Sequence, residues 1–320
     1  TTKEVLGNNT IGSISYKNLI NDVQIGTSIL VNDGLIELKV EKVYDTDIVC
    51  RVINGGVISD RKAINVPGVH LSLPFLSDVD RRDLEFAMKT GFDFFALSFV
   101  RCAEDVLEVR RLQKEHNNTS KLIAKIESQE GVENLDAIID VADGIMVARG
   151  DMGVEIPFEK VPVVQKDMIS KCLKSGKFVI VATQMLESMT HNPRPTRAEV
   201  NDVANAIFDQ TSAVMLSGES AAGDYPVEAV KTMSRICHEI EKTTTTGKFE
   251  ITYNGSNLAS SIACAACSIA SVINADAIIP VSLSGSTIRK VSGFRPNINI
   301  IGCSTNERVC CETSLMWGVT

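Results

Sequence analysis

The 320 residues carry 44% hydrophobic and 22% charged side chains and a net charge of −8, the balance of an ordinary globular chain with length for roughly two or three domains. The acidic balance excludes non-specific nucleic-acid binding, which needs clustered Lys and Arg, although a local cation can still hold an anionic small molecule. No run is long enough to span a bilayer, no leader is evident, and nine scattered cysteines read as reduced thiols of a cytoplasmic protein.

Residues 1–70 read as an all-β unit. Apolar runs at 28–31 and 35–40 flank Asn32-Asp33-Gly34, a strong hairpin signal, and the run at 47–52 leads into Asn54-Gly55-Gly56. Short strands joined by such turns predict a small β-barrel or sandwich. The pattern changes at Pro67 and Pro74. From 71 to 242, strand-like runs at 92–99, 122–126, 144–148, 178–183 and 213–216 alternate with amphipathic helices. Val132, Leu135, Ile138 and Ile139 share one helical face; so do Val164, Met168 and Cys172, and Val200, Val203, Ala204 and Ile207. Ser77 followed by Asp80 reads as a helix cap, with Gly91 as the stop.

A repeat of about 30 residues per strand–helix unit predicts parallel βα architecture. About five units are present where a closed (β/α)₈ barrel has eight, so the sheet is either open and doubly wound or an incomplete barrel. Ser98, Lys125, Glu127, Asp151, Thr183 and Ser217 all fall at the carboxyl ends of successive strands. A barrel would gather these ends around one mouth, which favours the partial barrel. From 243 to 320 a third pattern begins: a polar linker at 243–247, an apolar helix at 258–273, strands at 277–281 and 298–301, and a small-residue loop at 282–287. Cys264-Ala265-Ala266-Cys267 sits inside that helix without a second ligand pair, so it is read as structural, as is Cys310-Cys311.

The chemistry concentrates at Lys125-Ile126-Glu127 and Ala148-Arg149-Gly150-Asp151. Side chains two apart on a strand project from the same side, placing an ammonium beside a carboxylate. Asp151 then arrives from the next apolar run behind a glycine that permits close backbone approach. One cation and two converging carboxylates suit a hard divalent metal and an anionic substrate, hence phosphoryl transfer or enolate stabilisation.

Ala148-Arg149-Gly150-Asp151-Met152-Gly153-Val154-Glu155, Ala182-Thr183-Gln184-Met185-Leu186-Glu187-Ser188-Met189, Pro193-Arg194-Pro195-Thr196-Arg197-Ala198-Glu199 and Val214-Met215-Leu216-Ser217-Gly218-Glu219-Ser220 follow one another as they do in the pyruvate kinase family, which the chain resembles over nearly its whole length. The resemblance implies an α/β protein: a partial (β/α)₈ TIM-type barrel (71–242), a small all-β lid domain with a β-barrel plan (1–70), and a C-terminal three-layer α/β regulatory domain (243–320), the first and last incomplete. It implies phosphoryl transfer from phosphoenolpyruvate to ADP, giving pyruvate and ATP, in a cytoplasmic homotetramer, with no nucleic-acid or membrane partner.

By the same resemblance Glu127 and Asp151 hold Mg²⁺, with Mn²⁺ as an alternative. Lys125 stabilises charge passing between phosphoryl group and enolate, and Thr183 helps deliver a proton through water. Gly150 and Asp151 offer N–H groups to the substrate carboxylate, and Ser98 orients Lys125. Ser217 and Glu219 support the shell, and Arg149 is an ion-pair partner behind the site rather than a ligand. Asp33 and Lys62 match lid positions near the nucleotide, where an ordinary turn aspartate and a solvated lysine are equally good readings. Ser282, Ser284, Gly285, Ser286 and Thr287 resemble a sugar-phosphate effector loop, and Arg197 a residue of the subunit contact. The family also uses K⁺, but the arginine, Asn-x-Ser and Asp-Thr-Lys-Gly segments that hold K⁺ and the phosphoryl group have no counterpart in these 320 residues, which are therefore expected to turn over slowly. A metal-dependent lyase or aldolase, a Schiff-base aldolase and a non-catalytic binding relative are the competing readings. The lyase would need no nucleotide, and a Lys125 beside Glu127 and a metal stays protonated, which disfavours the Schiff base.

Overall fold

Glycine turns and alternating apolar residues build the first unit. The computed structural model describes residues 1–60, 62–244 and 257–320. Strands β1 (Ser28–Val31), β2 (Ile36–Val43), β3 (Ile48–Asn54) and β4 (Ile64–Asn65) form one antiparallel sheet in the order β3-β2-β1-β4. Asp33 and Gly34, at φ +56° and +81°, are the central residues of the β1–β2 turn, closed by Leu35 N–H donating to Asn32 O at 3.1 Å. This is the left-handed turn that matches the twist of flanking strands. Ile29, Val31, Ile36 and Val40 bury one face against Leu19, Val23 and Val66. Among the described residues β3 and β4 are the two edges of this four-stranded sheet, which covers a small core.

The second unit opens with Asp78–Thr90. Ser77 and Asp80 form a reciprocal capping box and Gly91, at φ +85°, ends the helix, both as expected. Strands β5 (Phe94–Leu97), β6 (Lys121–Ile126), β7 (Gly144–Ala148), β8 (Phe178–Ala182) and β9 (Ala213–Val214) then pair in parallel in their chain order. A doubly wound sheet reverses its order at a switch point. Five parallel strands in unbroken sequence instead make an arc of a barrel.

The two faces of the arc are sorted by residue parity. Leu97, Leu122, Ala124, Ile126, Ile145, Val147, Val179 and Val181 join the core beneath the outer helices, together with Val106, Val109, Ile138, Met168 and Val203. Phe94, Ile123, Met146, Phe178 and Ile180 line the inner face, where the rings of Phe94 and Phe178 meet edge to face at 5.9 Å. Gly144 is required there, because an added Cβ would lie 2.3 Å from the Phe178 ring. The helix expected over 132–139 divides at Asn134 into Gln129–Glu133 and Leu135–Val141, which keep the same apolar face.

In the third unit, helix Leu258–Val272 packs on strands β10 (Ala277–Ile278) and β11 (Asn299–Ile300), which pair in parallel. Val319 bridges to Ile300 and adds a third extended segment. The helix before the expected linker continues to Thr244, and the rest of that linker, from 245, lies outside the described residues.

This unit seats on the floor of the arc. Leu315, Met316 and Val319 pack against Ile123, Met146 and Ile180. Lys121 pairs with the buried Glu312 at 3.2 Å, and Arg295 donates to Ser212 Oγ at 2.8 Å and Gln210 O at 3.2 Å while lying 5.4 Å from the Trp317 ring centre. All nine cysteines are free; burial pushes the Cys172 thiol up to about 12 and that of Cys267 to about 11, so neither is a reactive thiolate. No described helix is long and apolar enough to cross a membrane.

Candidate active site at the mouth of the barrel arc

Parallel strands point their carboxyl ends the same way, so the residues just past each strand share one rim. Ser98 follows β5, Lys125 is the penultimate residue of β6 and Glu127 follows that strand, Asp151 lies three residues past β7, Thr183 follows β8, and Ser217 lies three residues past β9. Lys125 Nζ donates to Ser98 Oγ at 2.9 Å and stands 2.7 Å from Glu127 Oε1. The expected side-by-side ammonium and carboxylate are present, and Ser98 touches Lys125.

Glu127 is only 1% exposed. Its Oε2 accepts the N–H of Phe99, a bulky residue held at φ +51°, a backbone region such residues rarely enter. Burial raises the Glu127 pKa; Lys125 and the Phe99 N–H oppose that, and the negative charge of nearby Asp151 adds to it. Oε1 faces Lys125 as an ion pair but accepts no well-formed hydrogen bond. A buried carboxylate oxygen with unused acceptor capacity, beside a second carboxylate, fits a hard divalent cation that takes oxygen ligands. Among the described residues no three His, Cys, Asp or Glu side chains converge as a complete cage. Two carboxylates leave coordination positions for substrate oxygens and water.

Thr183 is a second strained point. It sits at φ +67° with Gln184 at φ +53°, a conformation that is costly for a β-branched residue and clusters at functional sites. Its hydroxyl donates to Ala182 O at 2.6 Å and accepts the Gly150 N–H at 2.8 Å. An added Cβ at Gly150 would come 3.4 Å from that hydroxyl, which is the close approach the glycine allows. The Gly150 N–H, expected to receive the substrate carboxylate, donates here to the Thr183 hydroxyl.

Arg149 holds this loop in place. Only 10% of its side chain is exposed, and it donates to Thr183 O at 2.6 Å, to Gln184 O at 3.1 Å and to Asp202 Oδ2 at 2.5 Å. The ion-pair reading of Arg149 is therefore correct but partial, since most of its donors grip backbone carbonyls. Glu219, fully buried, accepts the N–H groups of Leu186 at 3.0 Å and Ser217 at 2.7 Å, tying the loops after β8 and β9 together. Arg197 begins helix Arg197–Phe208, directly after its N-cap Thr196, which forms a capping box with Glu199.

Asp33 and Lys62 lie elsewhere. Both are exposed on the lid, and among the described residues no hydrogen bond or ion pair joins them to the barrel. Asn32 N–H donating to Ala63 O at 3.2 Å brings their two segments to one end of the lid. The loop at 282–287 is separate again, in the third unit. Ser282 Oγ accepts the Thr287 N–H at 3.4 Å, Gly285 takes φ +72° at the cap of helix Ser286–Gly293, and Arg289 donates to Ser284 O at 3.1 Å. Lys290 reaches Ser286 Oγ at 3.0 Å. Both cations went unremarked in sequence; their position one helical turn into the helix was the available signal.

A cleft of about 1230 Å³ runs along the free edge of β5, between Phe75, Leu84, Phe92 and the segment 64–71. It touches Ser98 and Glu155, but Lys125, Glu127, Asp151 and Thr183 do not line it. Among the described residues it opens beside the unpaired edge of β5.

Comparison with known proteins follows the same division. The family model described as pyruvate kinase, barrel domain, matches residues 1–230, and that described as pyruvate kinase, alpha/beta domain, matches 260–320. The chain is 48% identical to a pyruvate kinase of Clostridium acetobutylicum and 50% identical to one of Clostridium perfringens, in each case over 99% of this chain and 68% of the relative. A Staphylococcus aureus pyruvate kinase is 47% identical over 99% of this chain and 55% of its own length. A crystal structure of a pyruvate kinase from Cryptosporidium parvum superposes with a TM-score of 0.89 at 43% identity, covering 96% of this chain and 65% of that one. The chain thus spans between about half and two thirds of the length of these relatives.

Proposed function

Since the chain belongs to the pyruvate kinase family, we propose that it forms the metal- and enolate-binding part of an enzyme that transfers the phosphoryl group of phosphoenolpyruvate to ADP, giving pyruvate and ATP. The observation that carries this reading is the cluster at the end of β6: Lys125 between Ser98 and the buried Glu127, with Asp151 close enough to repel Glu127.

Glu127 and Asp151 would hold Mg²⁺ or Mn²⁺, which when bound supplies the positive charge that draws the anionic oxygens of the substrate to this rim. Lys125 does the rest of the electrostatic work from the protein side. Its ammonium is fixed by Ser98 and Glu127, so it meets charge developing between the phosphoryl group and the enolate oxygen without reorganising. Thr183 presents a hydroxyl already aligned by Gly150 and Ala182. Because a hydroxyl is a weak acid, it passes a proton to the enolate carbon through water rather than alone. Asp33 and Lys62, at one end of the lid, would approach the phosphates of ADP when the lid closes and water is excluded.

A cytoplasmic homotetramer that uses K⁺ is part of the same proposal. The 282–287 loop, with Ser282, Ser284, Gly285, Ser286 and Thr287, is proposed as an anion seat for a sugar phosphate. The isolated 320 residues should bind the metal and an enolate mimic better than they turn over phosphoenolpyruvate. Calorimetry with oxalate, a mimic of the enolate, tests the assignment: binding should require Mg²⁺ and weaken at least about tenfold in Glu127→Gln. Oxalate binding that ignores Mg²⁺ or survives that substitution would refute it.

A further inference from the structure

The segment that leaves the lid is pinned to both loops that carry the acidic pair. β4 ends at Asn65, which is 7% exposed and donates from Nδ2 to Glu155 Oε1 at 2.8 Å. Glu155 is the last residue of helix Arg149–Glu155, one turn beyond Asp151. On the other side, His70 Nδ1 lies 3.1 Å from Glu130, three residues after Glu127. The His70 contact is exposed at both ends, where such pairs contribute little, so the shielded Asn65 contact dominates.

A second lid contact falls on the same helix. The β1–β2 turn is held beside the segment entering β4 by the Asn32–Ala63 hydrogen bond, and an added Cβ on Gly34 would lie 3.7 Å from Val154 Cγ1. The turn that carries Asp33 and the strand that leaves the lid therefore both seat on Val154 and Glu155. Asparagine is a poor strand residue. In β4 its backbone pairs with Leu30, while its side chain is committed to another unit of the protein.

We infer that Asn65 and Glu155 are positioning residues that couple occupancy of the Glu127–Asp151 site to the seating of the lid. The helix between them is seven residues long, so a displacement of its first turn carries its last residue with it. A ligand drawn to Asp151 thus moves or fixes the acceptor on which the lid rests, and a seated lid fixes Asp151. This inference rests on the assignment of Glu127 and Asp151 to the metal.

Hydrogen exchange of the 320-residue chain, read with and without Mg²⁺ plus oxalate, tests it. In the unmutated chain the ligands should slow exchange in β1 and β4 by at least about threefold. Asn65→Ala and Glu155→Ala should each abolish that slowing while helix Val161–Lys174 stays protected, which shows that the barrel remains folded. Glu155→Gln keeps the acceptor oxygen and should keep the response, and the double alanine variant should be no worse than either single one. A ligand response that persists in Asn65→Ala, or is lost as fully in Glu155→Gln as in Glu155→Ala, overturns the coupling. Failure of the unmutated chain to bind oxalate with Mg²⁺ removes the metal assignment as well, so the two failures are distinguishable.

Discussion

Replacing Arg149 by alanine should show how much of the rim's geometry depends on one buried guanidinium. Thr183 and Gln184 are held at positive φ, at a cost on the order of 1–2 kcal/mol each for side chains with a Cβ. Against this, Arg149 donates to the carbonyls of both residues and to Asp202. A hydrogen bond to a charged group contributes about 1.5–3 kcal/mol, whereas Asp202, with 36% of its side chain exposed, regains water when the guanidinium is removed. The two lost carbonyl contacts set the scale, so Arg149→Ala should lower the free energy of unfolding by roughly 3–5 kcal/mol. Thr183→Gly relieves the strain but loses the hydroxyl, and should be neutral within about 1 kcal/mol. In combination the glycine no longer needs holding, so the double variant should be less destabilised than the sum by about 1–2 kcal/mol. Urea denaturation of the four proteins gives the cycle. Additivity within about 0.5 kcal/mol, or a cost below about 1 kcal/mol for Arg149→Ala, would refute the clamp.

Other consequences are open to simple measurement. Gly144→Ala drives a methyl into the Phe178 ring and should cost about 1–3 kcal/mol, most of it recovered by adding Phe178→Leu; equal stability of Gly144→Ala and its parent would show that the inner face is loose. Met316→Ala removes packing between the third unit and the barrel floor and should cost about 2–5 kcal/mol in denaturation, whereas a cost under about 0.5 kcal/mol would mean that the floor contact carries no stability. Burial opposes ionisation of Glu199, but hydrogen bonds from Ser188 and Thr196 outweigh it and lower its pKa below 4.5. Its contribution is fully present above pH 4.5 and is lost as the pH falls through the folded-state value. The stability advantage of the parent over Glu199→Gln should therefore shrink on acidification, and an advantage that grew in acid would reverse the sign of this linkage.

Much of the barrel was legible because β6, β7 and β8 are buried on both faces, so their runs are almost wholly apolar and their ends are set by Gly144, Asp151 and Thr183. The outer strands were overextended in sequence: 92–99 shortens to Phe94–Leu97 and 213–216 to Ala213–Val214. An apolar run marks burial, whereas a strand's length is fixed by the neighbour it pairs with, and β5 and β9 each have one. The Ser77 cap and the Asn32-Asp33-Gly34 turn were legible because their chemistry is local. The clamp of Arg149 was hidden for the opposite reason: its acceptors are backbone carbonyls more than thirty residues away, made available by positive-φ geometry. Glu219 was likewise named only as support, since its two N–H partners come from separate loops. The seating of Leu315 and Met316 on Ile123 and Met146 has no sequence signature, because apolar residues in a short tail say only that something covers them.

Glu127 and Asp151 are proposed to share one divalent cation beside Lys125. Crystals of the 320-residue chain grown with Mn²⁺ and oxalate would show the cation by its anomalous scattering. A single strong peak is expected between Glu127 and Asp151, with oxalate beside it and Lys125 against the oxalate. A peak seated on other carboxylates, with Glu127 still bound only to Lys125 and the Phe99 N–H, would contradict it.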